Sequence, residues 1–220
     1  MRTHFDEQLK DLHNELVTMG SMCEEAISLA IRALTENDAA LTEKVFAVDS
    51  EIDEKEREIE RLCMQLLLKQ QPVAKDLREI SSALKMISDM ERIGDQASDI
   101  AEITQYVLKM GGRNGSEKDL KEMAGEAVKM VTDSVTSFVQ RDLGLAHAVM
   151  KYDDIVDGWF IKMKKELIEL VSRDGAKGEY GIDLLMIAKY LERIGDHAEN
   201  LVGVAREMHD KGIVFSHEAK

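Results

Sequence analysis

Proline occurs once in the 220 residues, at Pro72, aromatic residues make up 5% of the chain, and the only cysteines are Cys23 and Cys63. So little proline and aromatic content, beside abundant Glu, Lys, Leu, Ala and Met, is the composition of long helices. The two cysteines show no paired spacing, which excludes a disulfide framework and a thiolate zinc site and leaves two small buried thiols in a reducing compartment as the expectation. Nowhere does the chain approach the roughly 20 consecutive apolar residues that span a bilayer. The opening Met1-Arg2-Thr3-His4-Phe5-Asp6-Glu7-Gln8 has no apolar stretch behind its positive charge and does not read as a secretory signal. The expectation is a soluble, cytoplasmic protein with no direct membrane insertion. Positive charge is also in deficit: the formal net charge is −14. Nucleic acid and anionic lipid need a basic surface, so both are excluded as main partners, and cations and basic protein surfaces remain.

What the chain does have is apolar residues at helical spacing almost throughout, as in Leu9, Leu12, Leu16, Met19 and Cys23, then Val45, Val48, Ile52, Ile59, Leu62 and Leu66. Breaks are expected near Glu36 to Asp38, at Gln70 to Pro72, in the Gly111-Gly112-Arg113-Asn114-Gly115-Ser116 linker, near Arg141, and across Asp174 to Gly181. The expected fold is therefore all-α, with six helices in two tandem, pseudo-symmetric three-helix bundles: residues 1–110, a linker at 111–115, residues 116–212, and a tail at 213–220. Pro72 suits the first turn of the third helix, and Ser116 with Asp119 suits the cap of the fourth. The glycine-rich linker lacks a following Gly-Lys-Ser/Thr and is not a phosphate loop.

The halves repeat. Leu34 to Asp53 aligns with Phe138 to Asp157 at an offset of 104 (Leu34 to Phe138), pairing Asp49 with Asp153 and Asp53 with Asp157. Glu91-Arg92-Ile93-Gly94-Asp95 recurs as Glu192-Arg193-Ile194-Gly195-Asp196 at an offset of 101 (Glu91 to Glu192). Glu91, Asp95 and Asp99 step by four residues, so they form a carboxylate ladder along one helix face beside the apolar stripe of Ile80, Ala83, Ile87, Met90, Gly94, Ala97 and Ala101. Asp49 and Asp53 flank the stripe of the second helix with the same angular sign. Depending on the hand of the bundle, the two sets meet in the groove between helices two and three or point away from it. If they meet, mutual repulsion calls for raised pKa values or a bound cation, and oxygen-only ligation favours a hard or borderline ion, iron, Mn²⁺, Mg²⁺ or Zn²⁺. The second copy offers Asp153, Asp157, Glu192, Asp196 and Asn200, one charge fewer than the first, with His197 adjoining as an optional nitrogen ligand. A single acid pair at i, i+4 is usually a solvated face. Repetition at matching places in both halves favours metal binding.

Gly94 and Gly195 lie on apolar stripes inside helices, where each costs about 1 kcal/mol relative to alanine, so close helix approach is their expected purpose. Helices three and six carry a second seam spaced by seven, Met86, Ile93, Ile100 and Val107 matched by Ile187, Ile194, Leu201 and Met208, which suggests contact between the two bundles. No catalytic constellation is recognisable. A ferritin-like metal-storage protein would need Glu-x-x-His pairs, and none occurs. A metal-dependent phosphoryl hydrolase would need a basic clamp, and only Arg92 and Arg193 are near.

The run Gln70-Gln71-Pro72-Val73-Ala74-Lys75-Asp76-Leu77-Arg78, the duplicated Glu-Arg-Ile-Gly-Asp and the opening Arg2 to Leu9 together resemble the PhoU family of bacterial phosphate-uptake regulators. The resemblance implies two three-helix bundles whose E/D-x-x-x-D motifs bind metal, here Asp49 with Asp53, Glu91 with Asp95, Asp153 with Asp157, and Glu192 with Asp196. It implies a non-enzymatic negative regulator of the phosphate regulon, acting between the ATPase of the phosphate-specific ABC transporter and a sensor histidine kinase. It also implies a homodimer, peripheral to the inner membrane through these protein partners.

Overall fold

The computed structural model describes residues 2–69, 72–111 and 115–217. Among them are six helices and no strand: α1 (Arg2–Glu36), α2 (Ala40–Lys69), α3 (Ala74–Met110), α4 (Ser116–Gln140), α5 (Leu143–Arg173) and α6 (Gly178–His217), with a 3₁₀ turn at Gly175–Lys177 before α6. The breaks expected after Glu36, before α3 and near Arg141 hold where they fall on described residues; α6 begins at Gly178, inside the break expected across Asp174 to Gly181, and runs on to His217, so residues 213–217 continue the helix rather than forming part of a tail. Residues 70 and 71, 112–114 and 218–220 lie outside the described residues.

The repeat reaches down to turn chemistry. Asn37 closes α1 in the left-handed region at φ 59°, and Asp38 then accepts a 2.9 Å hydrogen bond from the Ala40 amide to start α2. In the second half Arg141 is left-handed at φ 55°, and Asp142 accepts from the Leu145 amide at 3.0 Å to start α5. A short carboxylate at the N-cap satisfies amides that the helix itself cannot. Two local expectations need correction. Pro72 stands before the first turn of α3: Val73 is the extended N-cap residue, and Asp76 accepts from its amide at 3.4 Å. Ser116 does not cap α4 but is its first helical residue. Gly115 precedes it at φ 93°, a conformation open to glycine at little cost, and Glu117 accepts from the Gly115 amide at 3.0 Å.

Within each half the three helices all touch one another, and the halves meet through α1 against α4 and α3 against α6, the latter being the most extensive helix contact in the molecule. Among the described residues α2 and α5 are outer helices with no contact across the halves. The seven-residue seam is the reason α3 and α6 meet: Met86, Ile93, Ile100, Val107, Ile187, Ile194 and Leu201 are buried and Met208 is half-buried. Near Gly20 the α1 backbone runs so close to α4 that a Cβ would lie 3.2 Å from Val135 Cγ2. The buried apolar side chains consequently form one continuous cluster shared by both halves. Cys23 and Cys63 are buried free thiols; burial pushes the Cys63 thiol up to about 12 and the Cys23 thiol higher still.

The halves are also joined by charge. Glu79, 2% exposed on α3, accepts from Arg141 Nη2 in the α4–α5 turn at 2.7 Å, and its other oxygen lies 2.7 Å from His13 Nε2 on α1. Burial pushes the Glu79 carboxyl up, but the hydrogen bonds from His13 and Arg141 outweigh it and hold the group below the usual carboxylate range.

Candidate metal centre

The hand of the bundle brings the carboxylates of α2 and α3 towards one another. Asp49 stands against α3 where Gly94 leaves room: a Cβ on Gly94 would lie 3.0 Å from Asp49 Oδ1 and 3.1 Å from Ile52 Cδ1. Asp49 Oδ1 is buried and has no hydrogen-bond partner. Burial raises the Asp49 pKa, a hydrogen bond from Ser98 opposes the rise, and the charges of Asp95, Asp53 and Asp99 add to it. Glu91 is raised by burial and by Asp95, with smaller contributions from Glu56 and Asp53. Asp49, Asp53, Glu91 and Asp95 therefore share one groove, as the ladder pattern required. Arg92 does not enter it as a clamp; it pairs with Asp95 at 3.0 Å and with Glu91 at 3.5 Å on the exposed flank.

In the α5–α6 groove Asp153 is raised to about 6, first by burial and then by Glu199, Asp157 and Asp196. Asp196 is raised by burial and by Glu192, with Lys189 opposing. Asp153, Asp157, Glu192 and Asp196 thus repeat the first set. The glycine gap is wider here, since a Cβ on Gly195 would meet Val156 Cγ1 at 3.4 Å and Asp153 Oδ1 at 3.6 Å.

The outer rungs behave differently from the expectation. Asp99 is raised by burial and by Asp95, but it also bonds to Tyr190 of α6 and feels Arg193, so it faces the seam between halves as well as the groove. Its counterpart Asn200 is exposed and donates to Asp89 Oδ1 of α3 at 3.2 Å, beside His197 Nδ1 at 2.9 Å from the same oxygen. Both rungs are drawn to the α3–α6 contact because that face of each helix looks across the seam.

What distinguishes the two grooves is carried by residues that the repeat search passed over, because they differ between the copies. Glu199 occupies the position of Ser98, so the second groove has an acid where the first has a hydroxyl. Conversely, the first groove has Glu56 near Ser88, at 3.5 Å, where the second has Lys189 over the Phe160 ring at 5.4 Å and paired with Glu192. Aligning the halves and reading mismatched positions one turn from the motifs would have found all of them.

Among the described residues no three Asp, Glu, His or Cys donors stand close enough together to grip an ion as they are placed. The carboxylates line grooves without closing into a shell. The donor set is nevertheless of the right chemistry for a hard cation: several oxygens, one of them buried and unpartnered, in a field that already disfavours their ionisation.

The glycine gaps carry a prediction. Gly195→Ala meets only ordinary contacts and gains helix propensity, so it should stabilise the protein by about 0.5–1 kcal/mol. Gly94→Ala must displace the Asp49 carboxylate and Ile52, which cancels that gain. Thermal unfolding of the two variants should rank Gly195→Ala above the wild type and Gly94→Ala at or below it; equal shifts would show that the close approach at Gly94 is not used.

Comparison with known proteins agrees with the duplicated architecture. A family model described as the PhoU domain matches the chain twice, over residues 16–104 and 120–205. A phosphate-specific transport system accessory protein PhoU homolog from Clostridium acetobutylicum is 36% identical over 203 residues, 91% of each chain. The crystal structure of PhoU from Pseudomonas aeruginosa superposes with a TM-score of 0.89 at 30% identity, covering 94% of this chain and 99% of that one. The phosphate transport system regulatory protein PhoU from Streptococcus pneumoniae gives a TM-score of 0.85 at 26% identity, covering 93% and 96%.

Proposed function

The chain belongs to the PhoU family, and from that premise we propose that it is a non-enzymatic accessory protein of phosphate transport which restrains phosphate uptake and phosphate-starvation signalling when phosphate is plentiful. The observation that carries this reading is the match along nearly the whole length of relatives named as phosphate-specific transport system accessory proteins, in both halves of the repeat. Its partners in this reading are the ATPase of the phosphate-specific ABC transporter and a phosphate-sensing histidine kinase. Among the described residues no helix is long and apolar enough to cross a membrane, so association with such a system would run through protein contacts. Removing the gene should leave phosphate uptake and a starvation-gene reporter active in phosphate-rich medium, and reintroducing the full chain should silence both. Unchanged repression without the gene would count decisively against the reading.

The carboxylate grooves belong to the same proposal as sites for a hard cation. Asp49, Asp53, Glu91 and Asp95 would hold it in the first groove, with Asp99 at the rim. Asp153, Asp157, Glu192 and Asp196, joined by Glu199, would hold it in the second. When bound, the cation supplies positive charge that allows these acids to ionise together. The chain's own contribution is to bring α2 onto α3 and α5 onto α6 so that paired acids face each other over the glycine gaps. Two arguments support this: the unpartnered Asp49 oxygen, and a raised carboxyl at one matching position of the repeat in both grooves, Asp49 and Asp153.

A further inference from the structure

α3 and α6 lie antiparallel, in a register set by Lys85 with Glu207 at 3.7 Å, Asp89 with Asn200 at 3.2 Å, and Asp99 bonded to Tyr190. The same register places Tyr106 across from Met186 and Met110 across from Ile182 at the other end of the pair. Under the internal repeat these two ends are equivalent, with Ser81 matching Ile182, Lys85 matching Met186, Tyr106 matching Glu207 and Met110 matching Lys211. One end is therefore polar at every one of these positions and the other is apolar at every one. All four apolar side chains are open to solvent: Tyr106 52%, Met110 38%, Ile182 60% and Met186 39%.

An exposed ion pair on one side and exposed tyrosine, methionine and isoleucine at the matching places on the other is not what a shared solvated surface would select. Each helix presents two of these side chains one turn apart, Tyr106 with Met110 and Ile182 with Met186, the four-residue spacing at which the apolar anchors of a docked helix also recur. Two methionines make such a surface adaptable. The border is acidic. Glu102 is exposed one turn before Tyr106, and Glu179 and Asp183 flank Ile182. The Asp183 carboxyl is raised by burial and by Glu179, with no cation offsetting them. Lys109, stacked 5.4 Å over the Tyr106 ring, is a base within this surface, and Arg193 stands at its inner edge, over the Tyr190 ring at 5.7 Å. A second copy of this chain would bring a like-charged border and a formal charge of −14 against it, so the complementary occupant is cationic.

We propose that the Tyr106, Met110, Ile182 and Met186 face of the α3–α6 pair is a docking groove for an amphipathic helix of a partner protein, with apolar residues on its seated face and Lys or Arg along its flanks. The proposal deepens the adaptor reading above by giving it a surface, but its test needs neither phosphate nor metal, so failure of one is distinguishable from failure of the other.

The probe is a fluorescent peptide about five helical turns long with leucines on one face and lysines on its flanks, titrated with the full chain; a second peptide carries glutamate in place of lysine. The variant is Tyr106→Glu with Met186→Lys, which installs the ion pair that the opposite end tolerates in the same register. It keeps the net charge, so any loss of binding is not a change in bulk electrostatics. The wild type should bind the lysine peptide at least about 10-fold more tightly than the variant does, with weakening by salt, and at least about 10-fold more tightly than it binds the glutamate peptide. Equal binding by wild type and variant overturns the proposal, as does equal affinity for the two peptides. So does sedimentation showing a wild-type dimer that the variant disperses and the lysine peptide does not, which would make a second copy the occupant.

Discussion

Glu79→Ala should lower the free energy of unfolding by about 3 kcal/mol and the midpoint of thermal unfolding by about 6–12 °C. Glu79 is almost fully enclosed and joins three elements: α3, which carries it, α1 through His13, and the α4–α5 turn through Arg141. Removing it leaves a cavity and two donors without their acceptor, at a point where the two halves are held together. Arg141 is 41% exposed and can turn to water, which keeps the expected cost at the lower end for a broken buried ion pair. The exposed Arg32–Glu36 pair on α1 is the control, since both partners are about half exposed and four residues apart; Glu36→Ala should leave the midpoint where it is. The pH dependence follows from the depressed Glu79 carboxyl. Its contribution is present above the unfolded-state pKa of about 4.3 and is lost as pH falls through the lower folded value, so the gap between wild type and Glu79→Ala should narrow in acid below about pH 4, down to the cost of the cavity. A gap of the same size at acid and neutral pH would assign the effect to packing alone.

The second large effect concerns cations. Asp153 has its folded pKa raised to about 6, so the stability associated with its protonated form is complete below about pH 3.9 and disappears as pH rises through about 6. Asp49, Glu91, Asp99 and Asp196 are raised in the same direction. The metal-free protein should therefore lose stability between about pH 4 and pH 7, less steeply than the shifts alone imply because these groups are partly solvated. Manganese at about 100 times its dissociation constant should return about 2.7 kcal/mol at pH 7.5, a rise of roughly 5–10 °C, and much less at pH 5, where protons compete for the same oxygens. Elemental analysis after gentle purification separates the grooves: Asp49→Ala with Glu91→Ala should lose the first groove's share, and Asp153→Ala with Glu199→Ala the second's. Equal metal content in the wild type and both variants would falsify the cation reading.

The inequality between the two grooves shows where sequence reading reached its limit. Identity between the halves marks Asp49, Asp53, Glu91 and Asp95 with their counterparts and leaves Asp99 against Asn200 as the visible difference between the copies. In the folded chain that rung faces the seam, where Asp99 bonds to Tyr190 and Asn200 to Asp89. The differences that bear on each groove are Ser98 against Glu199, Ser88 against Lys189 and Glu56 against Phe160, positions at which the two halves share no residue type. The corrected caps have a similar cause. Pro72 and Ser116 carry the right preferences for a first turn and a cap, but the start of each helix was decided by neighbours, Asp76 reaching back to Val73 and Gly115 taking a left-handed turn.

Periodicity, turn residues and self-similarity are local properties, and they were sufficient to establish six helices, their order, the twofold repeat and the seven-spaced seam of α3 and α6. Whether the paired acids face one another depends on bundle hand, to which a helical wheel is blind because both hands satisfy the same apolar stripe. Tertiary structure decided that, placing Asp49 against Gly94 and Asp153 more loosely against Gly195, and it also fused the two halves into one core. It further set the antiparallel register that leaves Tyr106, Met110, Ile182 and Met186 together at one end, a cluster drawn from residues far apart in the chain and therefore absent from any local pattern.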